Sequence, residues 1–149
     1  MKVRNRLACL FSIFTLIALS GCATSTQAPP LNAQSPLQVP SIKVVVDCGS
    51  CQVRPNVPTL ILDGYRGAAS KAGAQISPTS EAIVTIQEYS DRNDTARFLV
   101  GAFAGKDEIR AEVIYQEKKF IVEDYYRNAW LGIESLANKI GEMVFAEVK

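Results

Sequence analysis

The chain has 149 residues, of which 48% are hydrophobic and 21% are charged, and it carries a formal net charge of +1 without a single histidine. The lack of histidine removes the commonest general base and metal ligand, and it excludes Ser-His-Asp and Cys-His catalytic sites. The balanced charge offers neither the basic patch that nucleic-acid binding needs nor a polybasic segment for anionic lipid. The length suits a single domain with one core.

The N-terminus has the pattern of a secretory signal peptide. Lys2, Arg4 and Arg6 precede an apolar run from Leu7 to Leu19, which ends at Leu19-Ser20-Gly21-Cys22. A basic start, an apolar middle and small residues before a cleavage site predict a segment, residues 1–21, that is removed. This run of 13 residues is shorter than the roughly 20 residues that a membrane-spanning helix needs.

Leu19-Ser20-Gly21-Cys22 resembles the lipobox of bacterial lipoproteins. In that family the cysteine receives a diacylglyceryl group, the chain is cut before it, and the new amine is acylated, for example with palmitate. The resemblance implies that Cys22 anchors the mature protein in the bilayer, because two or more acyl chains hold a protein stably in a membrane. Ala23 follows Cys22. In lipoproteins of enteric-type bacteria, the absence of Asp at that place implies the outer membrane, here facing the periplasm.

The segment after Cys22 has the composition of a tether. Cleavage before Cys22 leaves 13 lysines and arginines against 15 aspartates and glutamates, a net charge of −2. Residues 23–40 carry no charge and contain four prolines, which do not form a helix or a central strand. We therefore expect an extended spacer of at most about 3.1 Å per residue in polyproline form, followed by one domain at 41–149.

The domain shows strand and helix patterns in turn. β-Branched and alternating segments predict strands, and apolar residues at helical spacing predict helices. Gly73 is a natural stop for the first helix, and Asn128 suits a cap for the last. In chain order the predicted elements are a strand at 42–46, a helix at 59–72, a strand at 82–89, a short helix or ordered loop at 96–105, strands at 109–116 and 119–126, and a helix at about 129–148.

This order predicts an α+β fold, a two-layer sandwich of about four mainly antiparallel strands with two helices on one face. The last two strands are joined by a tight turn around Glu117-Lys118, which is too short for a parallel crossover. The apolar stripe of the last helix is predicted to contain Trp130, Ile133, Ala137, Ile140 and Val144.

Cys48-Gly49-Ser50-Cys51 is the one motif with a redox pattern. A thioredoxin-like dithiol follows a strand and opens a helix, whose N-terminus lowers the pKa of the first thiol. Here Pro55 and Pro58 interrupt the segment where that helix should already run, and the charge of Asp47 opposes thiolate formation. We favour a short structural disulfide between Cys48 and Cys51, and we keep a catalytic dithiol as the alternative. Two cysteines make only half of a zinc site.

Residues 96–105 form an apolar segment that contains two phenylalanines among small residues. Phe98, Leu99 and Phe103 are candidates for a partner-binding patch, and the flanking Arg97 and Lys106 suit an acidic partner. The alternative is that the phenylalanines complete the core of the domain.

These observations favour a non-enzymatic lipoprotein that binds an envelope complex, a secretion or transfer apparatus, or a second copy of itself, and that needs no cofactor or metal. Asp91, Asn93 and Asp94 lack the remaining ligands of a calcium loop and predict a plain turn. The alternative function is a membrane-tethered thiol–disulfide protein that uses Cys48 and Cys51.

Overall fold

The computed structural model describes residues 35–92, 99, 105–128 and 130–149. The chain divides into two units, Met1–Ala33 and Gln34–Lys149, and every element below belongs to the second. The elements are β1 (Gln38–Val46), α1 (Val57–Lys71), β2 (Gln75–Ser90), β3 (Asp107–Tyr115), β4 (Lys118–Tyr126) and α2 (Ile133–Val148). Within these described ranges, no helix combines the length and apolar character needed to cross a membrane.

The four strands form one sheet in the order β1-β2-β3-β4. The β1–β2 pair is parallel, and the β2–β3 and β3–β4 pairs are antiparallel. Alternate residues of the strands, such as Ile109, Ala111 and Val113 of β3, share one buried core with the apolar faces of both helices. The α+β fold with two helices packed against the sheet is therefore confirmed.

Two strands begin earlier than their sequence patterns predict. β1 starts at Gln38, where Val39 and Pro40 are already buried, and proline is tolerated because β1 is an edge strand. β2 starts at Gln75 rather than at residue 82, because Gln75 to Ser77 pair with Gln38 to Pro40. The residues that begin β2, QISPTSE, are mostly polar and show no strand alternation. Their extended form depends on the neighbouring strand.

The last helix begins later than predicted. α2 starts at Ile133 with Gly132 at its N-cap position, so Asn128 does not cap it and Trp130 precedes it. Trp130 is exposed, which makes its placement in the apolar stripe wrong. The other four predicted stripe residues, Ile133, Ala137, Ile140 and Val144, are buried as expected.

Two local features position the sheet. Gln116 and Glu117 have φ angles of 47° and 64°, which identifies a two-residue hairpin turn of the type that matches strand twist. The turn lies one residue earlier than predicted. On the other side of the core, the buried hydroxyl of Tyr65 donates to the carbonyl of Pro40 at 2.5 Å, which ties α1 to β1.

Candidate functional site

Three strands meet at one end of the sheet, where Ser90, Glu108 and Tyr125 lie side by side on β2, β3 and β4. We call this the distal end, because the chain enters β1 at the opposite end. There the carbonyl of Leu37 accepts a hydrogen bond of 2.8 Å from the N–H of Gln75. The distal end therefore lies at the opposite end of the sheet from Leu37 and Gln75.

A buried ion pair organises the distal end. The guanidinium of Arg92 contacts the carboxylate of Asp107 at 2.9 Å, and the Arg92 N–H donates to the same carboxylate at 2.8 Å. Their side chains are 3% and 0% exposed. Arg92 also donates to the carbonyls of Arg127 and Asn128 at 3.2 and 2.9 Å. One arginine thus holds together the exit of β2, the start of β3 and the segment after β4.

Asn128 shapes the segment that leads into α2. Its side-chain oxygen accepts hydrogen bonds from the N–H groups of Trp130 and Leu131 at 3.0 and 2.6 Å. The resulting turn holds Trp130 outside the core, where it is 86% exposed, and Leu131 is 42% exposed. Tryptophan and leucine in such positions add apolar area to the surface without contributing to the core.

Tyr125 adds an aromatic ring to the same end of the sheet. It is 52% exposed, and the cationic groups of Lys106 and Arg127 lie 5.5 and 5.4 Å from the centre of its ring. Lys106 also pairs with Glu108 at 2.5 Å. Exposed Trp, Tyr and Arg side chains together have the composition of protein–protein interface centres.

In the sequence, the predicted partner-binding residues Phe98, Leu99 and Phe103 fall between Arg92 and Gly105. Leu99 is 80% exposed. Phe98 and Phe103 lie outside the described residues, so their assignment stays a prediction. Helical spacing did not identify Trp130 as a surface residue, because it does not mark where the helix begins. Strand alternation could have identified Tyr125, which lies on the exposed face of β4 opposite to the buried Val122.

Cys48 and Cys51 lie within bonding distance of each other in the loop after β1, with their Cα atoms 5.6 Å apart. This is compatible with the predicted disulfide. α1 begins only at Val57, after Pro55. Its N-terminus therefore does not adjoin Cys48, as a thioredoxin-like dithiol would require.

Arg54 anchors this cysteine loop to the rest of the domain. Its guanidinium bonds to the carboxylates of Asp91, after β2, and of Glu134, in the first turn of α2, the latter at 2.7 Å. The Arg54 N–H also points at the hydroxyl of Tyr89, 3.4 Å away. Burial raises the pKa of that hydroxyl to about 12, so Tyr89 is neutral at physiological pH.

The remaining candidate positions serve ion pairs or lie outside the described residues. Asp91 engages Arg54, and Cys22, Asn93 and Asp94 are not described. Glu123 pairs with Arg110 at 3.6 Å, whereas Asp124 pairs with Lys139 on the other side of β4. Among the described residues, no group of three or more cysteine and acidic side chains could hold a metal ion.

Comparison with known proteins identifies no family. No protein-family model matches the chain, and no curated protein matches it. Among solved structures the chain is similar to the PelC dodecamer from Paraburkholderia phytofirmans, with a TM-score of 0.40 and 11% identity over 74% of this chain and 87% of that chain.

Proposed function

We propose that this protein is an envelope lipoprotein, anchored through acylated Cys22, that acts as a non-enzymatic binding module for an envelope protein complex. The lipobox-like sequence before Cys22 and the uncharged, proline-rich segment after it support the anchor and the spacer. The compact set of strands and helices that follows supports a rigid platform for binding.

The observation that carries the proposal is the exposure of Trp130. Trp130 is 86% exposed, more than any other large hydrophobic side chain among the described residues, so most of its large apolar area is available to a partner. Tyr125 with its two neighbouring cations lies on the same end of the sheet. Aromatic anchors beside arginine are the residues whose truncation most often costs binding energy at interfaces.

The charged groups behind these rings are already paired with one another. Arg92 pairs with Asp107 and donates to the carbonyls of Arg127 and Asn128, which lie between Tyr125 and Trp130 in the chain. This arrangement supports a preorganised binding surface, because the loops need little further ordering when a partner docks.

A photoreactive side chain in place of Trp130 in the mature lipoprotein, in its native membrane, tests this function. We expect a discrete covalent adduct with one envelope protein, and we expect Tyr125→Ala to reduce it when the fold is intact. The same photoreactive group at Lys43, an exposed position on β1, is the matched control and should give no such adduct. Equal labelling at the two positions would contradict a partner site at the distal end.

The same crosslinking experiment distinguishes a binding function from the alternative thiol–disulfide function. Cys48→Ser combined with Cys51→Ser should leave the Trp130 adduct in place if binding is the function. If the double variant keeps its fold and the Trp130 adduct but no longer supports the protein's function in cells, a redox role for the two cysteines would be favoured instead.

A further inference from the structure

β4 is an edge strand. Two copies of its sequence that run antiparallel can place basic residues of one copy opposite acidic residues of the other. From Lys118 to Asp124 it reads KKFIVED, with two basic residues, three apolar residues and two acidic residues. β4 pairs with β3 residue for residue, without a register shift, over its whole length. Its outer edge is therefore a regular row of backbone groups.

The hairpin turn determines which backbone groups of β4 point outward. A two-residue turn makes Tyr115 and Lys118 a hydrogen-bonded pair. By alternation, the N–H and C=O groups of even-numbered β4 residues face β3, and those of Lys119, Ile121 and Glu123 face away. The N–H of Tyr125 agrees with this assignment, because it donates to the side chain of its own neighbour Asp124 at 2.8 Å.

We propose that the outer edge of β4 pairs antiparallel with β4 of a second copy of this chain, with Ile121 on the two-fold axis. In this register Lys119 of each copy lies opposite Glu123 of the other, and Lys118 lies opposite Asp124. Opposite charges facing each other across strands stabilise a pair of strands. Two-fold symmetry forms each of these contacts twice.

The neighbouring registers that keep the same backbone hydrogen-bond pattern are less favourable. Pairing centred on Val122 places Ile121 opposite Glu123 and Phe120 opposite Asp124. Pairing centred on Phe120 places Lys119 opposite Ile121. The charge pattern therefore selects the register centred on Ile121, since a shift in either direction sets ionised side chains against apolar ones.

A groove of about 330 Å³ lies between the end of β4 and α2, and it is lined by Tyr126, Ser135, Asn138, Lys139 and Glu142. Lys119 and Asp124 already pair within one copy, with Glu112 at 2.8 Å and Lys139 at 2.5 Å, so the second copy extends these pairs into networks.

Cysteine crosslinking of the mature lipoprotein, purified in detergent, tests the position of the axis. In an antiparallel hydrogen-bonded pair, the two copies of residue 121 have Cα atoms about 5.5 Å apart, which lies within the range that a disulfide spans. We expect Ile121→Cys to form a covalent dimer under mild oxidation. Ile83→Cys is the matched control, because both isoleucines are exposed to a similar extent, 43% and 40%, but Ile83 lies on β2. Equal dimer yields for the two variants would overturn the proposal.

A charge swap provides a second, independent test. Lys119→Glu or Glu123→Lys alone should weaken the dimer roughly tenfold, because each places like charges opposite each other at two positions. The double variant Lys119→Glu with Glu123→Lys should restore dimerisation, as measured by light scattering, with circular dichroism as the check on folding. A double variant that dimerises no better than the single ones, while folded, would also overturn the proposal.

Discussion

Gly64 of α1 lies so close to Asn138 of α2 that a Cβ atom on the glycine would be 2.1 Å from the asparagine carbonyl oxygen. Gly141 of α2 has the same relationship to Ile61 of α1, where the corresponding distance is 2.0 Å. The two helices thus meet backbone to backbone at their crossing, and the sheet beneath them packs against both.

This contact predicts that Gly64→Ala destabilises the domain by about 1–3 kcal/mol, because the added methyl group forces the helix backbones apart. Gly67→Ala is the matched control: it lies in the same helix, and a Cβ there meets no atom within 4 Å. That change should stabilise the protein by about 0.5–1 kcal/mol through helix propensity. Urea unfolding measures both, and equal effects of the two variants would contradict the close crossing.

The pair of Arg92 and Asp107 predicts a large loss of stability when one partner is removed. Arg92→Leu removes the guanidinium that pairs with the buried Asp107 carboxylate, and the loss of one partner of a buried pair typically costs about 3–5 kcal/mol. Asp63→Asn, which breaks the exposed pair of Asp63 and Arg66 at 4.0 Å, should change the free energy of unfolding by less than about 1 kcal/mol. A similar small effect of both changes would show that Arg92 does not organise the distal end.

The buried hydroxyl of Tyr65 predicts a loss of stability at alkaline pH. Burial, with a smaller effect from Tyr115, raises its pKa from 10.0 to about 12. Between these values the unfolded chain releases the proton while the folded protein retains it. The contribution of this hydroxyl to the free energy of unfolding is therefore fully present below pH 10 and is lost as the pH rises towards 12. Tyr65→Phe should lose about 1 kcal/mol at pH 8 with its hydrogen bond to Pro40. It should also show a shallower alkaline decline of the free energy of unfolding, and parallel pH profiles of variant and wild type would contradict this assignment.

The short loop between Cys48 and Cys51 predicts a modest role for their disulfide. The two cysteines are three positions apart, and closing so small a loop stabilises a protein by about 2 kcal/mol or less. Unfolding of the protein with and without reductant measures the effect, and Cys48→Ser with Cys51→Ser should match the reduced form. A loss well above this value would mean that the loop contributes through contacts that reduction also breaks.

Most elements were predictable because their patterns reflect local burial. The alternation of Ile109, Ala111 and Val113, and the helical spacing from Ile133 to Val144, identify the faces that pack against the core. The first seven residues of β2 were not predictable, since their sequence lacks alternation and Gln75 to Ser77 form a strand by pairing with Gln38–Pro40 of β1. The start of α2 was also misplaced, because the side chain of Asn128 closes a turn around Trp130 instead of capping the helix.

The sequence by itself determined the signal-peptide pattern, the fold class and the absence of histidine chemistry, all of which follow from composition and from periodicity along the chain. Only the tertiary structure decided which residues meet at the distal end. Arg92 and Asp107 are 15 positions apart, and Arg54 and Glu134 are 80 apart. Contacts of this kind leave no periodic signal, because they depend on the order and direction of the strands and on where each strand stops.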